Sequence, residues 1–158
     1  MIQIKIDNLE TDGVIQLLEE HLADMHATSP PESIHALDID SLKHTSITFW
    51  RAEKNEKVLG CVAIKELNSK HGEIKSMRTA TAARNQGVAS LLLSHVLKVA
   101  ESRNYQKLSL ETGSMDYFKP ARTLYEKHGF TYCQPFGDYK PDPNSCFMTR
   151  RLTAKVPS

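Results

Sequence analysis

The sequence predicts an α/β (α+β mixed) single domain, in which a central mixed, mostly antiparallel sheet of six to seven strands is flanked by about four helices. Two observations carry this prediction. Segments rich in β-branched and aromatic residues follow one another from residue 47 to residue 79, as in antiparallel strands joined by turns. A broad apolar helix pattern then begins after Gly87 and leads to a short strand at Leu108, which predicts a βαβ crossover. The predicted element order is β-α-α-β-β-β-α-β-α-β-β.

Two different periodicities indicate the first strand and the first helix. Isoleucines alternate with polar residues over positions 2–6, the period of a half-buried strand. Apolar residues then recur at helical spacing from Val14 to Met25, with Asp12 as the expected cap, until the prolines of TSPPES end the helix. A weaker helical pattern over 38–44 predicts a second helix.

Three β-rich segments follow the second helix. SITFWRAEK and KVLGCVAIKEL are joined by the polar segment KNEK, which predicts an antiparallel hairpin, and GEIKSMRT extends the series. Gly60 lies inside the second of these strands and indicates either a bulge or a close packing contact. These segments form the antiparallel part of the predicted sheet.

The remaining elements complete the sheet and cover it. The helix after Gly87 has a broad apolar face suited to packing on a sheet. The helix in PARTLYEKHGF is expected to begin at Pro120 and end at Gly129, before two closing strands in FTYC and SCFMTRRL. We expect one domain over 1–153 and a C-terminal tail over 154–158. The predicted apolar stripe of the crossover helix comprises Val88, Leu91, Leu92, Val96 and Val99.

Composition excludes several classes of partner. The 20 Lys and Arg residues nearly balance the 19 Asp and Glu residues, so the charge indicates neither nucleic acid nor an anionic membrane. The N-terminal segment has no basic region followed by an apolar core, and no apolar run is long enough for a membrane span. Three widely spaced cysteines without a CxxC pair indicate reduced thiols, and no Cys/His cluster predicts a metal site. We therefore expect a cytoplasmic protein without a bound metal.

The segment ARNQGVASLLL places a basic, glycine-bearing turn directly before an apolar helix. A helix start carries unpaired backbone N–H groups and the positive end of the helix dipole, so it favours an anion. Gly87 allows close approach to the backbone, small Ala89 does not crowd a ligand, and Arg84 adds positive charge. The turn also follows a strand, at the edge where ligands bind in such sheets. It is a candidate phosphate site, the alternative being an ordinary helix start.

Arg84–Ala89, which reads RNQGVA, resembles the acetyl-CoA loop Gln/Arg-x-x-Gly-x-Gly/Ala of the Gcn5-related N-acetyltransferase (GNAT) family. The preceding strand, the crossover and ARTLYEKHGF, which is similar to the family's A-x-x-L-Y-x-K-x-G-F segment, agree with that resemblance. It covers Ile47–Leu152. SPPESIHALD and PFGDYKPDPNS further resemble the YsnE-type acetyltransferases, a small bacterial subgroup. The chain has neither GxxxxGK(S/T) nor GxGxxG, which disfavours kinase and dehydrogenase functions.

The resemblance implies a GNAT-like fold that binds acetyl-CoA as a cosubstrate. It implies that the backbone of Met77–Thr79 lines the pantetheine arm and the thioester carbonyl, the alternative being an ordinary strand end. Phe118 departs from the family pattern, because many relatives have an asparagine there that helps to hold the cofactor. The implied cofactor-binding residues are Met77, Arg78, Thr79, Arg84, Asn85, Gln86, Gly87, Val88 and Ala89.

Two residues are candidates for proton transfer. Glu73 lies 11 residues before Arg84, the offset of the catalytic glutamate in histone-type GNAT members, and strand alternation places it on one face with Met77. A surface carboxylate at a strand start is the alternative. Tyr125 corresponds to the tyrosine that many members place beside the CoA sulfur, where a neutral phenol protonates the leaving thiolate. A half-buried core tyrosine is the alternative there.

The resemblance also implies that the acceptor enters between the first helical region and the loop joining the last two strands. Loop carboxylates suit a cationic amine, although side chains on loops are often simply solvated. The candidate acceptor-binding residues are His26, Ser29, Glu32, His35 and Glu111. The last loop adds Asp138, Tyr139 and Asp142.

The sequence thus predicts an acetyl-CoA-dependent N-acetyltransferase that acetylates a primary amine of a small molecule or peptide by direct attack in a ternary complex. A covalent route is disfavoured because Cys61 and Cys133 have no activating partner in the sequence. The alternative is a catalytically silent acyl-CoA-binding or sensor domain of the same fold, which Phe118 motivates. An exposed strand near the C-terminus would permit a homodimer.

Overall fold

The computed structural model describes residues 1–31 and 39–152. In this part of the chain, seven strands and four α-helices follow one another in the predicted order. The expected mixed α/β fold is therefore confirmed. The elements are β1 (Gln3–Ile6), α1 (Asp12–Thr28), α2 (Ile39–Leu42), β2 (Ile47–Lys54), β3 (Lys57–Asn68), β4 (His71–Thr79), α3 (Val88–Ser102), β5 (Lys107–Gly113), α4 (Lys119–Lys127), β6 (Thr131–Tyr132) and β7 (Ser145–Arg151).

All seven strands join one sheet in the order β1-β2-β3-β4-β5-β7-β6. The neighbouring strands β4 and β5 are parallel, as the predicted crossover through α3 requires, and the other recorded pairs are antiparallel. No helix in the described ranges is both long and apolar enough to cross a membrane.

The sheet is buried on both faces. The strand residues Trp50, Val62 and Ile64 join α3 and Phe130 in one apolar cluster, whereas Phe49 and Ala63, the residues next to them in the chain, pack with α1 and α2 in a second cluster. This arrangement follows from the strand period of two, which sends successive side chains to opposite faces. The central strand β3 is consequently apolar at consecutive positions.

The predicted hairpin is confirmed, and its turn explains the polar segment KNEK. Asn55 and Glu56 both have positive φ, 53° and 64°, as in the two-residue turn whose twist matches that of the strands. Gly60 lies beside a register shift and is closely packed as well. A Cβ atom at Gly60 would lie 2.9 Å from the Arg78 carbonyl oxygen and 2.9 Å from a methyl group of Val88.

A bulge in β4 lies where this strand separates from β5. The register between β3 and β4 shifts next to Ser76, which has a φ of 55°. β4 pairs with β5 as far as Ile74 and Leu110, and beyond that pair residues 75–77 and 111–113 line a cavity between the two strands. Because a bulge increases local strand twist, it allows β4 to diverge from β5 at the carboxyl ends of the parallel pair.

Because of the bulge, Met77 lies on a different face of β4 from the one predicted. Alternation placed Met77 with Glu73, but Met77 and Ile74 both pack against the cluster that contains α3. The prediction was wrong because the extra residue at Ser76 resets the alternation within the strand.

Three smaller predictions were also wrong. Asp12 is the first helical residue rather than the cap, and the cap residue Thr11 donates its hydroxyl to Asp7 Oδ1 at 2.7 Å instead of bonding the helix. Ile6 is 70% exposed because it ends the edge strand β1. Leu91 is 45% exposed because it lies outside the stripe that α3 buries through Leu92 and Val96.

Candidate active site

A large cleft of about 610 Å³ lies where β4 ends and α3 begins. The opposite wall contains His21 of α1, Tyr117 and Phe118 of a short 3-10 turn, and Tyr125 of α4. Gln86 does not line this cleft, and its side-chain amide instead donates to the Ala82 carbonyl at 3.5 Å. The predicted cofactor residues that line the cleft are Met77, Arg78, Thr79, Arg84, Asn85, Gly87, Val88 and Ala89.

The turn before α3 has the geometry of an anion site. Gly87 has a left-handed φ of 77°, and a Cβ built on it would meet nothing within 4 Å. Asn85 is left-handed as well, with a φ of 67°, and left-handed residues in a turn are typical of concave anion-binding backbone segments. The first helical hydrogen bond runs from Leu91 N to Gly87 O, so the preceding amides lack acceptors within the helix. The residues present therefore fit a phosphate-bearing ligand.

A smaller inner cavity of about 110 Å³ lies between the diverging ends of β4 and β5. Its lining includes the predicted site residues Glu73, Glu111 and Tyr139, together with Lys75. The inner cavity and the large cleft share His21, Met77, Phe118, Ala121 and Tyr125, so the two spaces adjoin along these side chains.

Glu73 is 3% exposed and takes part in a three-residue polar network. Its Oε2 accepts a hydrogen bond of 2.6 Å from the Tyr139 hydroxyl and forms a 3.1 Å ion pair with Lys75 Nζ. Lys75 Nζ also donates to the Tyr139 hydroxyl oxygen at 3.1 Å. The ammonium group balances the carboxylate charge, which makes burial of the pair tolerable. The alternative of a solvated surface carboxylate does not describe this side chain.

Tyr125 lies on the buried face of α4 at the junction of the two spaces and is 6% exposed. Its ring packs edge-on against Phe130, with centroids 5.8 Å apart. Burial, and secondly the negative charge of Glu111, raise the pKa of Tyr125 well above its ordinary value. The phenol therefore stays protonated at physiological pH and remains a hydrogen-bond donor.

A second polar cluster joins α1 to the end of β4. Arg78 Nη2 pairs with Asp24 Oδ2 at 2.8 Å, and the Tyr117 hydroxyl donates to the same oxygen at 2.9 Å. The hydrogen bond from Arg78 is the main cause that lowers the pKa of Asp24. Burial, with a smaller effect of Arg78, lowers the pKa of His21 to about 4, so this imidazole is neutral at pH 7.

The predicted acceptor residues are dispersed. Glu111 lines the inner cavity, while His26 and Ser29, at the end of α1, line none of the cavities described here. Glu32 and His35 lie outside the described residues. Asp138 and Asp142 line an outer groove of about 460 Å³, which also includes Glu73, Lys75 and Tyr139.

Two of the three cysteines, Cys61 and Cys133, are poorly suited to nucleophilic catalysis. Burial raises the pKa of the Cys61 thiol to about 12, and the sulfur donates to the Ser76 carbonyl oxygen. Burial also raises the pKa of Cys133. Because the thiolate is the nucleophilic form, these shifts disfavour a covalent cysteine intermediate.

The Acetyltransferase (GNAT) family model matches residues 14–130. The chain belongs to this family. It is 54% identical over 151 residues to YsnE, an uncharacterized N-acetyltransferase of Bacillus subtilis (strain 168), with 96% of this chain and 100% of YsnE covered. Membership in the GNAT family identifies the protein as an acyltransferase. Enzymes of this family use acetyl-CoA.

Solved GNAT structures share the fold. A GNAT acetyltransferase from Staphylococcus aureus Mu50 has a TM-score of 0.74 at 21% identity, covering 97% of this chain and 100% of that one. A GNAT acetyltransferase from Elizabethkingia anophelis, solved with acetyl-CoA bound, has a TM-score of 0.70 at 24% identity, covering 96% and 98% of the two chains.

The polar partners of Glu73 and Arg78 could not be predicted from the sequence. Lys75 and Asp24 are ordinary charged residues in sequence, and only the fold brings them to Glu73 and Arg78. His21 was part of the apolar pattern of α1, which gave a signal for its inward position but not for a cavity. Tyr139 belongs to the predicted acceptor loop, but its contact with Glu73 joins residues 66 positions apart and has no local sequence signal.

Proposed function

We propose that this protein is an acetyl-CoA-dependent N-acetyltransferase that acetylates a primary amine of a small molecule or peptide by direct attack in a ternary complex. One observation carries the proposal: the inner cavity holds the Glu73 carboxylate and adjoins, at Tyr125, the large cleft that begins at the α3 turn. A proton acceptor and a proton donor thus face one space next to a phosphate-binding turn.

The large cleft is the proposed cofactor site. The amides at the start of α3 hold the pyrophosphate, helped by the positive helix end and by Arg84. The strand end at Met77–Thr79 lines the path from that turn to the inner cavity and supplies backbone donors for the thioester carbonyl. When bound, acetyl-CoA supplies the activated acetyl group and leaves as the thiol.

Glu73 and Tyr125 divide the proton transfers between them. Glu73 removes a proton from the acceptor ammonium at a carboxylate oxygen, which frees the nitrogen lone pair for attack. The Tyr125 hydroxyl, which its raised pKa keeps protonated at physiological pH, donates its proton to the departing sulfur. Burial of both residues keeps bulk water from competing with the amine.

A catalytically silent acyl-CoA-binding or sensor domain is the second candidate. Phe118, in place of the asparagine of many relatives, favours it because this ring lines both spaces and packs against Gly113. A bulky apolar side chain there offers no hydrogen bond to a cofactor. The two candidates differ in whether the bound thioester reacts.

Calorimetric titration followed by a thiol-release screen tests the proposal. Purified protein is titrated with acetyl-CoA and with an analogue that lacks the pyrophosphate-bearing half, and CoA release is then measured over a panel of amines. We expect tight binding of the intact cofactor alone and release that depends on one class of amine. Binding without release across the panel would support the silent domain, and no binding would contradict both candidates.

A matched pair of glutamate variants assigns the base. Glu73→Gln keeps the size of the buried side chain but removes its proton-accepting charge, and turnover should fall by about 10²-fold or more. Glu126→Gln changes an exposed residue of α4 and should leave turnover unaltered. Equal turnover in the two variants would remove Glu73 from the mechanism.

A further inference from the structure

We propose that Tyr139, in the loop between β6 and β7, is a positioning residue that orients the Glu73 carboxylate and separates the inner cavity from the groove through which the acceptor arrives. This inference rests on the proposed function, because it assumes that Glu73 accepts the proton of the amine. It assigns a role in the reaction to a loop residue that lies far along the chain from Glu73 on β4.

The hydrogen bonds fix one oxygen of Glu73. Both the Tyr139 hydroxyl, at 2.6 Å, and Lys75 Nζ, at 3.1 Å, contact Oε2. Oε1 has no part in this network, so the pair of donors sets the carboxylate rotamer and leaves the second oxygen for the acceptor nitrogen. A carboxylate oriented in this way avoids the loss of rate that follows from a misplaced base.

Aromatic packing holds the Tyr139 ring in place. The ring lies edge-on to Phe136, with centroids 5.2 Å apart, and tilted against Phe147 of β7 at 5.4 Å. Phe136 in turn contacts His71, at the start of β4, with ring centroids 5.7 Å apart. This cluster connects the loop to the strand that carries Glu73, so the hydroxyl is held by contacts other than its own hydrogen bonds.

Tyr139 also forms a partition. The inner cavity and the outer groove share three residues, Glu73, Lys75 and Tyr139. The outer groove is open to solvent along residues 137–142, whereas the inner cavity adjoins the cofactor cleft. An acceptor that enters by the groove therefore meets the Tyr139 side chain where it contacts Glu73 and Lys75, at the boundary with the inner cavity.

The test uses Tyr139→Phe, which removes the hydroxyl and retains the packing ring. We expect kcat to fall about 10- to 100-fold while the KM for acetyl-CoA stays constant, because Tyr139 does not line the large cleft. The dependence of kcat/KM on pH is recorded as a second readout, because a purely structural role of Tyr139 would leave the shape of that profile unchanged. Among the described residues, the other charged or titratable groups that pair with Glu73 or line a space with it are His21, Lys65, His71, Lys75, Glu111, Tyr125, Asp138, Lys140 and Asp142.

Two further variants make the outcome decisive. Tyr132→Phe removes a hydroxyl from an exposed tyrosine whose partner is Glu126, and it should match the wild type in rate and pH profile. Tyr139→Leu removes the partition as well as the hydroxyl, and it should lower the KM for bulky amines relative to small ones. Wild-type rate and pH profile in Tyr139→Phe would overturn the inference, whereas an inactive wild-type protein would instead contradict the proposed function.

Discussion

At the scale of single residues, the hydroxyl of Tyr125 is separable from its ring. The ring packs against Phe130 and is buried, so Tyr125→Phe should keep the folded structure. If the phenol protonates the departing sulfur, the variant should lose about 10²-fold in kcat with little change in the KM for acetyl-CoA. The measurement is steady-state thiol release with the best amine of the panel.

A core tyrosine without a catalytic role gives a different result. Burial of a hydroxyl is costly, so Phe at position 125 would then leave turnover unchanged and the melting temperature equal or higher. Tyr105→Phe provides a stability comparison, because Tyr105 is buried, its hydroxyl donates to Glu66, and it lines neither the inner cavity nor the large cleft. Unchanged turnover in Tyr125→Phe would remove this residue from the mechanism.

Site residues within one short motif could be predicted from the sequence. Site residues that depend on contacts between distant parts of the chain could not. Gly87 and Arg84 belong to one short turn, so the motif itself placed them in the cleft. Glu73 was a candidate from its offset, yet its partners Lys75 and Tyr139 needed the folded sheet and the loop conformation. Hydrogen bonds between side chains far apart in sequence leave no periodic signal.

At the scale of elements, the α3 turn depends on a left-handed residue. Gly87→Ala should cost about 1 kcal/mol of stability because alanine is strained at a φ of 77°, although space for the methyl group is open. If the amides of this turn hold the pyrophosphate, the same variant should also weaken acetyl-CoA binding. Calorimetry with acetyl-CoA measures the second effect, and thermal unfolding measures the first.

Gly137 offers the matched control for that element. It too has a positive φ, 57°, and open space around its missing side chain, but it lies in the outer groove. Gly137→Ala should therefore show a similar loss of stability with unaltered acetyl-CoA affinity. Equal affinities for acetyl-CoA in the two variants would contradict the phosphate assignment of the turn.

The strand β4 was predicted from the sequence, but its bulge was not. Its extent and pairing partners followed from periodicity and from the crossover rule, and both were correct. The bulge was missed because Ser76 takes the left-handed conformation without being glycine or asparagine, the usual signals of that region. Ser76 lines the inner cavity, so the part of the fold with the weakest local signal shapes the space in which we propose that the chemistry occurs.

At the scale of the whole molecule, two apolar clusters lie on opposite faces of one sheet. Leu92 of α3 belongs to the first cluster and Leu17 of α1 to the second, and both are buried. Removal of either side chain leaves a cavity, so each Leu→Ala variant should lose about 2–5 kcal/mol of unfolding free energy. Leu91→Ala, one residue away but 45% exposed, should change stability by less than about 0.5 kcal/mol.

We predict one domain over 1–153. If this is correct, the stability lost in Leu92→Ala and the stability lost in Leu17→Ala should both appear in one cooperative unfolding transition. The strands β2 and β3 supply residues to both clusters, so α1 cannot separate from the sheet without exposing the apolar face that Phe49 and Ala63 form beneath it. Urea unfolding followed by far-ultraviolet circular dichroism and by fluorescence of Trp50, the chain's one tryptophan, provides two probes. Coincident curves for the wild type, Leu92→Ala and Leu17→Ala are expected. An early helical transition in Leu17→Ala, with Trp50 still buried, would show instead that the two faces of the sheet unfold independently.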